Sequence, residues 1–243
     1  MIDIHSHIIF GVDDGPKTLE ESILLIKESY SQGTRSIIAT SHRRKGMFET
    51  PEEKIRENFN IIKSEIEKIL PDLNLYYGAE IYFTSDILNK LENNIFPTLG
   101  DTDYVLIEFS SSTRYTEIYK AVDKIILLGK IPILAHIERY NELVNSEKKV
   151  RNLIDKGAYI QINSASVLKV KLFGDSQKEY KKRAKYFLDK DLVHFVATDM
   201  HNLTSRKPYF KEAYKIIEKK YGKKRAEDLF VNNQRKIQNN ELI

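Results

Sequence analysis

The chain has 243 residues, 41% hydrophobic and 30% charged, enough to bury one sizeable core; no linker-like stretch or fixed-period repeat divides it, so residues 1–243 are expected to form a single domain. Its 39 basic and 35 acidic residues are largely interspersed, so a net charge of +4 does not build the clustered basic face of a nucleic-acid-binding module. The absence of cysteine excludes disulfides, thiolate metal sites and thiolate nucleophiles, and agrees with a reducing compartment.

The opening Met1-Ile2-Asp3-Ile4-His5 lacks the basic-then-apolar layout of a signal peptide. No apolar run reaches the roughly 18 to 20 residues that cross a bilayer, so a cytoplasmic protein without a transmembrane segment is expected. From there, short β-rich runs alternate with helical patterns. The expected strands are 2–4, 36–40, 73–78, 104–109, 131–135, 158–162 and 194–198. Between them Ile55, Phe59, Ile62, Ile66 and Ile69 recur at helical spacing, a core-packing stripe. Thr18 with Glu21 and Thr50 with Glu53 fit the capping box, Pro51 suits a first helical position, and Gly33, Gly129 and Gly157 stand where helices should stop. Strands joined by helical crossovers run parallel, which leaves an open doubly wound sheet or a closed β/α barrel.

The ionisable residues favour the barrel. His5 and His7 end the first strand, with Asp14 just beyond it. His42 follows the second strand and Glu80 the third, Glu108 closes the fourth, His136 ends the fifth, and Asp199 and His201 close the seventh. The carboxyl ends of parallel strands share one face, and only a barrel brings all six contributing strands within reach of one point. His194 begins its strand, at the opposite edge, and reads as a satisfied histidine outside the set.

Four carboxylates gathered in one pocket repel one another unless cations neutralise them. Imidazole and carboxylate donors without sulfur suit Mn, Fe or Zn better than Mg or Ca, and nine donors exceed one ion's needs, so two or three ions with a bridging carboxylate are expected. Paired ions roughly 3.5 to 4 Å apart activate water and clamp phosphate oxygens, which suits hydrolysis of phosphomonoesters. Arg139 and Arg206 lie on loops of the same face, where guanidinium forks can bind phosphoryl oxygens; the plainer role for Arg139 is an ion pair with Glu138 or Glu142. Arg43, Arg44 and Lys45 read as a solvated basic rim, and Lys181-Lys182-Arg183 and the basic run 219–225 as solvated outer faces of helices. Ser6, Ser41 and Thr198 are near the site, but without a metal-free histidine base a hydroxyl nucleophile has little support.

The runs Ile2-Asp3-Ile4-His5-Ser6-His7, Val12-Asp13-Asp14-Gly15-Pro16-Lys17-Thr18, Thr40-Ser41-His42, Gly78-Ala79-Glu80-Ile81, Leu106-Ile107-Glu108-Phe109, Ala135-His136-Ile137-Glu138-Arg139-Tyr140 and Ala197-Thr198-Asp199-Met200-His201-Asn202 recur in order along essentially the whole chain. Together they resemble the PHP (polymerase and histidinol phosphatase) superfamily and, within it, the bacterial capsule-type tyrosine-protein phosphatases of the CpsB group in their streptococcal form. The resemblance implies a distorted β/α barrel with about seven parallel strands and a trinuclear centre. It gives His5, His7, Glu80 and Asp199 to one ion, Glu80, Glu108 and His136 to a second, and Asp14, His42 and His201 to a third, with Glu80 bridging. It further implies manganese, a phosphotyrosine protein substrate, and a role opposing a bacterial tyrosine kinase that controls capsular or exopolysaccharide assembly. Many relatives carry proline and histidine around the second-strand ligand where this chain has Ser41 and Arg43, which touches local substrate contacts. The expected mechanism is attack by metal-activated hydroxide, with Arg139 and Arg206 on the phosphoryl oxygens and Asp14, or a water on its ion, as the acid. Other hydrolases of the superfamily, histidinol-phosphate phosphatases and nucleases, are the alternative.

Overall fold

The computed structural model describes residues 1–171 and 173–243. Its strands are β1 (Ile2–Ser6), β2 (Ser36–Ala39), β3 (His42–Arg43), β4 (Asn74–Tyr77), β5 (Glu80–Tyr82), β6 (Tyr104–Glu108), β7 (Ile131–Leu134), β8 (Tyr159–Asn163) and β9 (Phe195–Ala197). Every ladder between them is parallel. One sheet runs β1-β2-β4 and the other β3-β5-β6-β7-β8-β9.

Two of the expected strands, 36–40 and 73–78, each stop at a break and are followed by a further short strand just beyond it. The run from β2 to β3 is interrupted at Thr40-Ser41 and the run from β4 to β5 at Gly78-Ala79, so nine ladder strands stand where about seven were expected. Across the break, the Glu80 N–H donates to the Thr40 and Ser41 carbonyls at 3.2 and 3.3 Å and carries the pairing onward. Gly78 fits the kink because a Cβ there would come within 3.1 Å of Ile38 and Leu99 side chains. The far ends of the two sheets also meet. Asp199 N–H donates to the His5 carbonyl at 2.8 Å and His7 N–H to the Met200 carbonyl at 2.9 Å, joining β1 to the end of β9. The sheet therefore curls round on itself as the distorted β/α barrel that the strand-end argument requires.

The helices on its outside are α1 (Leu19–Ser31), α2 (Glu52–Ile69), α3 (Ile87–Glu92), α4 (Tyr115–Leu127), α5 (Glu147–Asp155), α6 (Ser164–Val167), α7 (Lys178–Asp189) and α8 (Phe210–Tyr221), followed by α9 (Lys223–Glu227) and α10 (Asn233–Gln238). In α2 the stripe Ile55, Phe59, Ile62 and Ile66 is buried against the sheet; Ile69, in the last turn, is 42% exposed and falls outside it. Truncating Ile62 or Ile66 to alanine would cost about 2–5 kcal/mol.

The helix-start signals are obeyed in part. Thr18 caps α1 by accepting the Glu21 N–H, but Glu21 reaches back to the Lys17 N–H rather than to Thr18 itself. Thr50 does not cap α2: its hydroxyl donates to the Val12 carbonyl, and Pro51 is the cap residue, with Glu52 the first residue of the helix. Gly33, Gly129 and Gly157 all adopt positive φ just past helix ends, as a left-handed stop demands.

The barrel interior divides by height. At the amino ends of the strands, Ile2, Ile4, Ile38, Tyr104, Ile133 and Phe195 pack with Ile237 of α10. The C-terminal tail closes that end, with the Tyr104 hydroxyl donating to the Glu241 carbonyl at 2.5 Å. The charged residues are left to the other end.

Candidate metal centre

All nine imidazoles and carboxylates singled out by strand-end position lie together at the carboxyl rim of the barrel. His5 Nε2 and His7 Nε2 approach Glu80 Oε2 at 3.2 and 3.1 Å and Asp199 Oδ1 at 3.4 and 3.5 Å. His136 Nε2 meets Glu80 Oε1 at 2.8 Å and lies 3.8 Å from Glu108 Oε1. His42 presents both ring nitrogens, Nδ1 toward Glu80 at 3.1 Å and Glu108 at 3.8 Å, Nε2 toward Asp14 at 3.5 Å. His201 Nε2 is 3.2 Å from Asp14 Oδ1.

Donor atoms within 4.8 Å of one another form three groups: His5, His7, Glu80 and Asp199; His42, Glu80 and Glu108; and His7, Asp14, His42 and His201. The first group is the expected one. The other two differ: His7 joins the Asp14 group, His42 offers one ring nitrogen to each of two groups and stands where His136 was expected beside Glu80 and Glu108, and His136, though 2.8 Å from Glu80, falls in none of the three. Glu80 is shared by two groups, as a bridging carboxylate must be.

Local backbone aims these side chains. His136 and Asp199 both have positive φ, 33° and 52°, an unfavourable conformation for residues with a Cβ that typically costs about 1–3 kcal/mol. In both cases it turns the residue at the strand end inward, and for Asp199 the N–H to the His5 carbonyl holds the turn.

A second ring of polar residues orients the first, and sequence reading missed it. The Asp13 carboxylate accepts from His7 Nδ1 at 2.9 Å, from the His42 backbone N–H at 3.0 Å and from the Gly15 N–H at 2.9 Å, so it fixes the His7 ring, the backbone at His42 and the turn that carries Asp14. Gln161 Oε1 is 3.1 Å from His5 Nδ1 and accepts the His136 N–H at 2.8 Å. Asn163 Nδ2 donates to Asp199 Oδ2 at 2.7 Å. The legible signal for these was two amides inside a strand that is otherwise apolar, Tyr159–Asn163.

The electrostatics are those of an overfilled site. Burial opposes ionisation of His7, but its hydrogen bond to Asp13 and the nearby charges of Asp13 and Glu80 outweigh that and hold it up to about 10. Burial pushes His42 and His136 down to about 4, with Arg139 adding to the effect on His136. Glu108 is pushed up to about 8 by burial and by the neighbouring charge of Glu80. Neighbours of the same kind are thus driven in opposite directions, which is the signature of more ligating groups than the protein's own cations can balance.

The donor set fits divalent cations on a separate observation. Buried atoms at the rim lack any hydrogen-bond partner, among them His42 Nδ1, Glu80 Oε2, Glu108 Oε2 and His201 Nε2, all members of the three groups. Buried polar atoms are normally paired, and potential ligand atoms that converge without hydrogen-bond partners are what a metal ion satisfies.

Arg139 and Arg206 also reach the rim. Arg139 Nη2 donates to Asp199 Oδ2 at 2.6 Å, while Arg206 donates to Asp14 Oδ2 at 3.0 Å and to Asp199 Oδ1 at 2.9 Å. The plainer pairing for Arg139 does not form: Glu142 pairs with Lys149, and buried Glu138 accepts the Asn163 N–H. Two other charged residues correct the sequence reading. Arg43 is a buried strut, bonded to Glu52, Tyr77 and the Ser41 carbonyl, and Lys181 is buried against Asp175 at 2.9 Å. Among the hydroxyls, Ser6 donates to the Ile38 carbonyl and Thr198 to Asp3, so neither is free to attack. His194 is satisfied at the opposite end, its Nδ1 accepting the Ile160 N–H at 3.1 Å.

A parallel β/α sheet curled into a distorted barrel, with histidines and carboxylates gathered at its carboxyl rim, defines a class of candidate metal-centred barrel proteins. Comparison with known proteins narrows it: residues 1–239 match the family model described as "Capsular polysaccharide synthesis, CpsB/CapC". The chain belongs to the CpsB/CapC family. It is 59% identical over 243 residues, all of both chains, to tyrosine-protein phosphatase CpsB of Streptococcus pneumoniae. It is 34% identical over 224 residues to tyrosine-protein phosphatase YwqE of Bacillus subtilis, covering 91% of this chain and 85% of that one. A solved structure from work on YwqE of B. subtilis and CpsB of S. pneumoniae, called unique metal-dependent tyrosine phosphatases, superposes with a TM-score of 0.86 at 32% identity, covering 100% of this chain and 96% of the other.

Proposed function

We propose that the chain is a metal-dependent protein-tyrosine phosphatase that removes phosphate from a cognate bacterial tyrosine kinase governing capsular or exopolysaccharide assembly. The observation that carries this reading is the single rim where nine ligating groups and two arginines converge in a chain 59% identical, end to end, to a tyrosine-protein phosphatase. Manganese is the proposed metal, two or three ions, with iron or zinc as substitutes the same donors accept. His5, His7, Glu80 and Asp199, Glu80 and Glu108 with His136 and His42, and Asp14, His42 and His201 with His7 would hold them. The protein would work in the cytoplasm as one domain; among the described residues no helix is long and apolar enough to cross a membrane.

Divalent ions at this rim supply the charge that makes water nucleophilic near neutral pH and that neutralises phosphoryl oxygens. The chain's own residues do the rest. Arg139 and Arg206 turn their guanidinium groups from Asp199 and Asp14 to the nonbridging oxygens and hold the phosphoryl group in line. Asp13 and Gln161 keep His7 and His5 presenting Nε2. The phenol of tyrosine has a pKa near 10, so the leaving group needs little help from an acid. Asp14, 44% exposed at the mouth and held below the usual carboxylate range against burial by His201, passes a proton best through a water it holds.

The test is side-by-side turnover of a phosphotyrosine peptide, histidinol phosphate and single-stranded DNA with manganese present. Preference for the peptide by at least ~100-fold in kcat/KM is expected, equivalent to about 2.7 kcal/mol of discrimination. Preference for either of the other two overturns the assignment in favour of that activity.

A further inference from the structure

The positive charge that looks interspersed along the chain is concentrated in one stretch. Residues 165–225 carry 17 Lys+Arg against 7 Asp+Glu, so the remainder of the chain is net acidic although the whole is +4. The fold gathers much of this excess around a groove of about 470 Å³ on the outside of the barrel, between α7 and α8 and beneath α6. Its floor is apolar, formed by Val167, Leu168, Leu188 and Ile216, and its walls are Lys169, Lys182, Lys185, Lys219 and Lys220. Among the described residues none that lines it is acidic.

Several of these lysines have local partners: Lys182 pairs with Glu179, and Lys185 and Lys220 share Asp189. Among the described residues Lys169 and Lys219 pair with none, and both are exposed. Buried Lys181 ties the Lys169 carbonyl to Asp175 and so fixes the groove's wall on α7. The groove begins at the candidate centre's own rim. α6 follows directly on Asn163, which is bonded to Asp199, and Ser164 donates to the Pro208 carbonyl in the segment that carries Arg206.

Resting on the phosphatase reading, we propose that this lysine-walled groove docks an acidic segment of the protein substrate, with apolar side chains on its floor while the phosphotyrosine sits at the rim. A concave apolar floor suits side chains of an extended peptide; a flat membrane surface would leave it unfilled, and nucleic acid would need a series of aromatic stacking platforms along a basic track, where among the described lining residues Tyr221 is the single aromatic. Carboxylates of the partner complement the unpaired Lys169 and Lys219, which steers encounter, fixes register and adds a salt-sensitive share of the affinity. The groove lies outside the reacting centre, so its effect falls on KM.

The experiment uses the full chain and the double variant K169E/K219E, two exposed positions without partners. Binding of an unphosphorylated acidic peptide containing leucines, followed by fluorescence anisotropy, reads the groove without any catalysis. The parent is expected to bind it at least ~10-fold more tightly than a peptide with glutamine in place of each acid, and to lose that preference at high salt; the variant is expected to lose it at all salts. With phosphotyrosine peptides, the variant's KM should rise ~10-fold for acidic flanks and stay unchanged for neutral flanks and p-nitrophenyl phosphate. Equal binding of acidic and neutral peptides by the parent overturns the proposal, as does unchanged acidic-peptide binding by the variant. Lysine-dependent binding to phosphatidylserine vesicles with no peptide preference reassigns the groove to a membrane surface. Peptide preference without turnover of any phosphate ester leaves the groove standing and removes the phosphatase.

Discussion

The two ends of the barrel use the same residue types to opposite ends. At the amino rim His194 accepts the Ile160 N–H and lends its carbonyl to Asn233, and the Tyr104 and Tyr159 hydroxyls bond to the C-terminal tail. At the carboxyl rim His42 Nδ1, Glu80 Oε2, Glu108 Oε2 and His201 Nε2 are buried with no hydrogen-bond partner. Among the described residues the amino end leaves Gln234 Oε1 of α10 unpartnered, whereas the carboxyl rim concentrates those four atoms on its ligating side chains. Burying unpartnered polar atoms costs about 1–3 kcal/mol each, so their gathering at one rim marks where stability has been set aside for function.

The contrast breaks most completely if the carboxyl rim proves dispensable. His136→Ala or Asp199→Ala is expected to reduce phosphotyrosine turnover at least ~10³-fold while circular dichroism still reports the parent fold, because each removes a donor from the rim and none from the packed interior. Activity within a few fold of the parent would defeat the assignment. A smaller effect comes from the ring behind the ligands. Asp13→Asn leaves every donor in place but replaces the carboxylate that orients the His7 ring and anchors the His42 backbone, so manganese affinity should fall about 10–100-fold by calorimetry, with the His7 ring nitrogen shifts changing in the metal-free protein. Unaltered affinity would mean that the rings are held by packing alone.

The smallest effect belongs to the amino rim and tests whether it is structural only. Burial and the nearby Arg225 push His194 down to about 4, below the ordinary 6.5, so the folded protein refuses a proton that the unfolded chain accepts. The stability it contributes is full above pH 6.5 and is lost as the pH falls toward 4, at a slope of about 1 kcal/mol per pH unit within that window. His194→Gln keeps an acceptor for the Ile160 N–H and should flatten the difference in denaturation midpoint between pH 6.5 and 4.5, with turnover unchanged. A variant that unfolds with the parent's pH slope removes His194 from this account.

Much of this contrast is legible in the sequence because strand ends are legible. Apolar runs bounded by polar residues place His5, His42, Glu80, His136 and Asp199 at the carboxyl ends and His194 at a start, and the parallel fold turns those positions into opposite rims. The breaks at Thr40-Ser41 and Gly78-Ala79 are not legible, since they arise where the ladder passes from one neighbour to the next. Nor is the burial of Arg43 or Lys181, which depends on Glu52, Tyr77 and Asp175 arriving from other segments. Asp13 stands in a quoted motif beside Asp14, yet only the folded turn shows that it faces His7 while Asp14 faces the mouth.

The central claim is that the carboxyl rim gathers cations. Anomalous diffraction from crystals grown with manganese reads it directly. Two or three ions are expected among the side chains of His5, His7, Asp14, His42, Glu80, Glu108, His136, Asp199 and His201. A structure with manganese bound only elsewhere, or with this rim closed by its own hydrogen bonds and no ion at saturating metal, would contradict it.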